Sequence, residues 1–199
     1  MANECFNMFS FYGNTKVIEQ VKVWRESLAN FPSTKEDPDC MRAITEIFYP
    51  EVEDKKSIDM GSKWVHEDNS SLSPEDDQIS LTSAWHSPNE LHQKMACLLF
   101  KLDKHVVVEN SFNIEDGTIG VAYASPHDGE NAYFQDAVIE LDSEGYEDVN
   151  EAEEAAYAEL KEAEIEILNF LMDDMPGTYK VIKKFKPRMK DKFTWSDYS

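Results

Sequence analysis

The sequence predicts an α+β fold: a ferredoxin-like, split βαβ core with an antiparallel sheet, extra strands and a long acidic helix towards the C-terminus. Three observations lead there. Strand-like runs cluster around two helical patterns instead of alternating strictly with helices, which argues against a parallel α/β sheet. Two turn pairs, Asp116-Gly117 and Asp128-Gly129, join the later runs as hairpins. The resulting order, β-α-(insert)-β-β-α-β-β-β-α, contains in its first half the order of a split βαβ unit.

Each element has its own warrant. Cys5 to Tyr12 (CFNMFSFY) is dense in aromatics and closed by Gly13-Asn14, as expected of a strand. Thr15 is placed to cap a helix running through Phe31, with Val17, Val21, Trp24 and Leu28 on one face and Pro32 ending it. Residues 33–40 form a polar loop, and Met41 to Tyr49 a short helix presenting Met41, Ile44 and Phe48. Ile58 to His66 predicts a strand whose Gly61 marks a bulge or a close contact. Glu67 to Asp77 is an acidic, serine-rich loop.

Gln78 to Trp85 alternates as a half-buried strand, with Ile79, Leu81, Ser83 and Trp85 facing inward. Pro88 to Phe100 is helical, burying Leu91, Met95, Leu98 and Leu99. Strands follow at His105–Phe112, Thr118–Ser125 and Ala132–Leu141, extending the sheet or lying across it. Asn150 to Met172 is the longest helix, with Ala156, Leu160, Ala163, Ile167 and Leu171 as its apolar stripe and Pro176-Gly177 as its stop. The expected organisation is one domain over residues 1–178, with a core at about 1–141, an insert at about 32–57 and the acidic helix at about 150–172. Residues 179–199 form a basic, extended tail.

Charge is the dominant compositional fact. The formal net charge is -21, and seven of the 19 basic residues lie after position 179. The first 179 residues therefore hold 12 basic and 38 acidic side chains, a net of -26. Such a body repels nucleic acid and anionic membrane and favours basic partners. No apolar run is long enough to span a bilayer. Met1 to Gly13 has neither a basic n-region nor a long apolar h-region, so no secretory leader is expected. Three widely spaced cysteines, Cys5, Cys40 and Cys97, fit reduced thiols in a cytoplasm better than a disulfide framework.

No catalytic constellation, metal set or cofactor motif emerges. Walker A, GxGxxG, HExxH and Gly-x-Ser-x-Gly patterns are absent. In Trp85-His86-Ser87-Pro88-Asn89-Glu90, the serine sits where an N-cap belongs, proline at N1 and glutamate at N3, a capping box that gives Ser87 a complete structural task. His86 is the one candidate for a hydrolase or transferase centre, provided that a carboxylate lies within reach. The remaining histidines (His66, His92, His105, His127) show no zinc-ligand spacing, and the acidic run from Asp142 fails the EF-hand order.

Three local patterns carry a resemblance. Asn3-x-Cys5-x-Asn7-x-Phe9-x-Phe11-x-Gly13, then Gly61-Ser62-Lys63-Trp64, then Thr82-Ser83-Ala84-Trp85-His86-Ser87-Pro88 resemble, in order, a family of phage and plasmid proteins with a ferredoxin-like domain, named after YubB. Glu4 stands where the family pattern has Trp, Val65 where it has Asp, and His86-Ser87-Pro88 where it has Ser-Pro-Pro. The resemblance implies the fold and a mobile-element origin, and brings no established activity or catalytic residues.

The functional expectation is a non-enzymatic accessory protein of a phage or other mobile element. It would act in the host cytoplasm on a host or defence macromolecule, with its acidic surface mimicking nucleic acid to engage a basic, nucleic-acid-binding protein. Contact is expected at Glu151, Glu154, Glu159, Glu162 and Glu166 of the long helix, whose acids are opposed only by Lys161. A competing expectation is single-stranded nucleic-acid binding by Phe9, Phe11, Tyr12 or Trp64 on a sheet face. Lys183, Lys184, Lys186 and Arg188 of the tail would then contact the backbone.

Overall fold

The computed structural model describes residues 3–31, 41–67, 77–141, 149–175 and 181. Its elements are β1 (Glu4–Tyr12), α1 (Thr15–Ala29), α2 (Met41–Phe48), a 3₁₀ turn at Lys55–Ser57, β2 (Val65–Glu67), β3 (Gln78–Ala84), α3 (Asn89–Leu99), β4 (Val107–Ile114), β5 (Ile119–Pro126), β6 (Ala132–Ile139) and α4 (Val149–Asp174). The strands form a 6-stranded sheet of order β2-β3-β1-β4-β5-β6, in which every neighbouring pair is antiparallel. The α+β class and the two hairpin turns expected from the sequence are present, and β5 and β6 extend the sheet.

β1 occupies an interior position because both of its faces are apolar or internally bonded. Cys5, Asn7, Phe9 and Phe11 are buried on one side and Ser10 and Tyr12 on the other. It aligns with β3 from Glu4↔Ala84 to Ser10↔Gln78, and with β4 from Cys5↔Ile114 to Tyr12↔Val107. Two core layers follow. Phe9, Phe11, Ile79, Leu81 and Val108 pack with Val17, Val21, Trp24 and Leu28 of α1, Ile44 and Phe48 of α2, and Leu91, Met95 and Leu99 of α3. On the opposite face Tyr12, Val107, Ile119, Val121 and Tyr123 meet Ala156, Leu160, Ile167, Leu168 and Leu171 of α4. β3 is buried throughout its length from Ile79 onward instead of half-buried.

The cap of α1 falls one residue before the expected Thr15. The Asn14 carboxamide oxygen accepts from the backbone N–H of Lys16 at 2.9 Å and of Val17 at 3.3 Å, while its Nδ2 donates to the Leu102 carbonyl at 2.8 Å. One side chain thus closes the helix start and ties it to the loop after α3. Replacing Asn14 by Ala is expected to cost about 1–2 kcal/mol, measured as a lower urea midpoint at unchanged m-value.

The strand expected over 58–66 is reduced to Val65–Glu67. Gly61 turns the chain at φ +76°, and a Cβ there would stand 2.8 Å from the backbone nitrogens of Asn89 and Glu90. The segment is used to close the start of α3: the Leu91 N–H donates to the Met60 carbonyl at 3.2 Å. Close contact, the second of the two readings of Gly61, is the one realised.

Candidate functional site

Helix α4 sorts its residues by phase. Ala152, Ala156, Leu160, Ile167, Leu168 and Leu171 are buried against the sheet. Glu151, Glu154, Glu159, Glu162 and Glu166 are all exposed on the opposite side, as are Glu153 and Asp173. Lys161 is the single basic residue of the helix and is exposed too. At 1.5 Å rise per residue, the five glutamates span roughly 22 Å. Their spacing of one carboxylate per roughly 5 Å is of the order of the single phosphate per 3.4 Å along a DNA strand.

Glu164 departs from this face. It is 8% exposed, and its carboxylate accepts a hydrogen bond from the Tyr123 hydroxyl on β5. Beside it lies Glu109 of β4, 3% exposed, accepting from the Tyr12 hydroxyl at 2.6 Å and from Ser111 Oγ at 3.1 Å. Burial, opposed by the Tyr123 bond and reinforced by the negative charge of Glu109, pushes the Glu164 carboxyl up to about 7. Burial also pushes both tyrosine hydroxyls well up, with the Glu109 charge adding to each. Two carboxyl groups from different elements are thus held in one apolar interface and bridged to the sheet by phenols. The sequence carried a signal for Glu164 that helical charge counting obscured. Ala156, Leu160, Glu164 and Leu168 recur every fourth residue, so Glu164 sits in the buried stripe.

The three sequence patterns that lie far apart in the chain meet at one end of the sheet. The Trp85 N–H donates to the Asn3 carbonyl at 2.9 Å, Ser62 Oγ to the Ala84 carbonyl at 2.7 Å, and the Ala84 N–H to the Trp64 carbonyl at 3.2 Å. Beneath them runs a buried amide and hydroxyl network. Asn7 Nδ2 donates to Ser83 Oγ at 2.9 Å, and Asn110 Nδ2 donates both to Asn7 Oδ1 at 3.0 Å and to Ser87 Oγ at 2.9 Å.

This geometry corrects two expectations. Ser87 is not the cap of α3: Pro88 holds that position with no side-chain cap bond, and the Ser87 hydroxyl is 3% exposed and turned into the sheet towards Asn110. Gly61 and Met60 already close the helix start, which frees the serine for the network. Trp85 does not face inward. It is 50% exposed with φ 72°, because the chain leaves the sheet at Ala84 and reverses through a turn in which the His86 N–H donates to the Ala84 carbonyl. Replacing Ser87 by Ala is expected to cost about 1–3 kcal/mol by leaving a buried Asn110 N–H unpaired. A double-mutant cycle with Asn110→Ala then gives a coupling that an N-cap role would not produce.

His86 is exposed, and its Nδ1 donates to the neighbouring Ser87 carbonyl at 3.1 Å. Among the described residues no carboxylate lies within hydrogen-bond reach of the ring, so the arrangement needed for a His86-centred hydrolase or transferase is not assembled. The buried histidine is His92, whose Nε2 donates to the Val108 carbonyl at 2.8 Å between the edges of Phe9 and Phe134. Burial pushes its pKa down to about 4, so it stays neutral as a core residue. Cys5 is buried and its thiol is pushed up to about 11 by burial, which keeps it protonated and unreactive.

The aromatic surface expected to stack on nucleotides is not displayed. Phe9 and Phe11 are fully buried under α1 and α3, and Tyr12 is 2% exposed under α4. Trp64 is half-buried. Lys183, Lys184, Lys186 and Arg188, with the rest of the tail, lie outside the described residues, as do the loop at 68–76, Pro176-Gly177 and Cys40. No described helix is long and apolar enough to cross a membrane. Comparison with protein-family models, curated proteins and solved structures finds no match.

Proposed function

We propose that the chain is a protein-binding accessory module, of phage or mobile-element type, that presents α4 as an acidic surface to a basic, nucleic-acid-binding protein of the host. The observation that carries this reading is the segregation of α4. Five glutamates selected by charge pattern alone all fall on the exposed face, while the apolar stripe and Glu164 take the buried one. Acids on the later turns gain nothing from the helix dipole and repel one another at i, i+3 and i+4. A helix held by its packed stripe tolerates that cost, and the retained field steers and orients a cationic partner.

The proposal includes a ferredoxin-like core. In support of this, the strand order β2-β3-β1-β4, with α1 leading from β1 towards β2 and α3 joining β3 to β4, is the order expected of a split βαβ core. It also includes kinship with the YubB-type proteins. Supporting this, the three resembling segments converge through the Asn3, Ser62, Trp64, Ser83 and Trp85 contacts instead of being scattered over the molecule.

The test is affinity capture from bacterial lysate on the immobilised chain, beside a variant with Glu151, Glu154, Glu159, Glu162 and Glu166 all changed to Gln. The wild type is expected to retain basic nucleic-acid-binding proteins that elute with moderate salt and are displaced by duplex DNA. The variant is expected to lose them. An identical retained set on both columns would sink the reading.

A further inference from the structure

β6 closes the sheet on one side. It pairs with β5 from Ile119↔Ile139 to Pro126↔Ala132, and among the described residues no other backbone group bonds to Ala132–Ile139. A strand paired on one side leaves alternate N–H and C=O groups facing outward, a template for an incoming strand. Such edges are commonly blunted by charged side chains, lysine above all, or by proline, a bulge or short length. β6 (AYFQDAVI) has 8 residues, no lysine or proline, an unbroken register and a single charged side chain, Asp136.

What surrounds this edge is acidic and partly apolar. Asp136 is exposed within the strand, Glu130 and Glu140 are exposed at its two ends, and no Lys or Arg occurs between residues 128 and 160. Val138, on the same face as Asp136, is 50% exposed. On the other face Tyr133, Ala137 and Ile139 pack under α4, which lies across β5 and β6 with its carboxylates other than Glu164 outward.

We propose that the β6 edge is the docking site for an extended, Lys/Arg-rich segment of the partner protein, added as a further antiparallel or parallel strand. Its main chain pairs with the β6 edge, and its apolar side chains on one face cover Val138. Its basic side chains answer Asp136, Glu130, Glu140 and the field of α4. For its charge the inference rests on the acidic-surface reading, and the backbone pairing is additional to it. A second copy is a poor occupant, since each copy carries a net charge of -21 and pairing edge to edge would bring two acidic helices together.

The test uses the full chain and three synthetic peptides of about ten residues: alternating Lys and Val, the same peptide fully N-methylated, and alternating Thr and Val. Binding is read by fluorescence anisotropy and by hydrogen exchange of residues 132–139. The Lys/Val peptide is expected to bind, to protect the β6 amides, and to lose about tenfold or more in affinity on N-methylation or on exchange of Lys for Thr. Equal binding of the methylated and unmethylated peptides would overturn edge docking while leaving charge attraction to the acidic surface intact. Absence of binding by all three would also overturn it, and the lysate comparison above then decides the acidic-surface reading on its own. Self-association with protection of the β6 amides, in the absence of peptide, would replace the basic partner by a second copy.

Discussion

Gly120→Val is expected to destabilise the chain by about 2–4 kcal/mol, lowering Tm by roughly 5–15 °C for a protein of this size. Gly120 stands opposite Phe112 in the β4–β5 pairing, and the Phe112 ring lies across it. A Cβ at Gly120 would fall 2.2 Å from Phe112 Cζ and 2.6 Å from Cε2, inside any real contact distance. The ring has nowhere easy to go: Phe112 is 7% exposed and packs with Cys5, Ile114, Ala122 and Phe134. Because the clash lies with the ring, Phe112→Leu in the Gly120→Val background is expected to cost less than the sum of the two single changes. Additive losses in urea unfolding would show that the glycine is needed for its backbone and not for its missing side chain.

The second large effect is a dependence of stability on pH that runs opposite to ordinary acid denaturation. The Glu164 carboxyl is raised from 4.5 to about 7 in the folded chain, so the native state holds a proton that the unfolded state has already released. Stability from this group is therefore full below about pH 4.5 and is lost as pH rises towards 7. The loss is on the order of 3 kcal/mol. The groups facing it account for the sign: Glu109 from β4 opposes ionisation, Lys161 on its own helix favours it weakly, and the Tyr123 hydroxyl is pushed too high to titrate nearby. Glu164→Gln keeps an acceptor for Tyr123 and removes the proton uptake. It is expected to flatten the stability profile between pH 4.5 and 7 and to stabilise the chain at pH 8. Urea midpoints across that range check this, and a variant that retains the wild-type slope would place the titration elsewhere.

The parts of the fold legible in the sequence are those where one local signal dominates. The Val17-Val21-Trp24-Leu28 stripe and the Asp-Gly pairs each specify an element without reference to the rest of the chain. The misread positions are those where a distant segment takes over a local task. Ser87 has every feature of a cap, yet Gly61 and Met60 close that helix and Asn110 claims the hydroxyl. Trp85 continues an alternating pattern, yet the chain turns out of the sheet one residue earlier. The five exposed glutamates of α4 were legible because solvation follows helical phase. The pairing of Glu164 with Glu109 was not, since nothing local in β4 announces which helix will cover it.

The position of β1 also bears on how the chain reaches its folded state. β1 precedes both of its partners by a long stretch, pairing with residues 78–84 on one side and 107–114 on the other. The β4–β5–β6 meander, by contrast, is made of neighbours in sequence. Closing loops of about 65 residues or more is entropically slow, whereas hairpins form within microseconds. The meander is therefore expected to form first and β1 to insert last between β3 and β4, making its insertion the rate-limiting event. Until then β1, with Cys5, Phe9 and Phe11 on one face and Phe6, Met8 and Tyr12 on the other, is the segment most exposed to association with other chains, and pulse-labelled exchange should find its amides the last to gain protection.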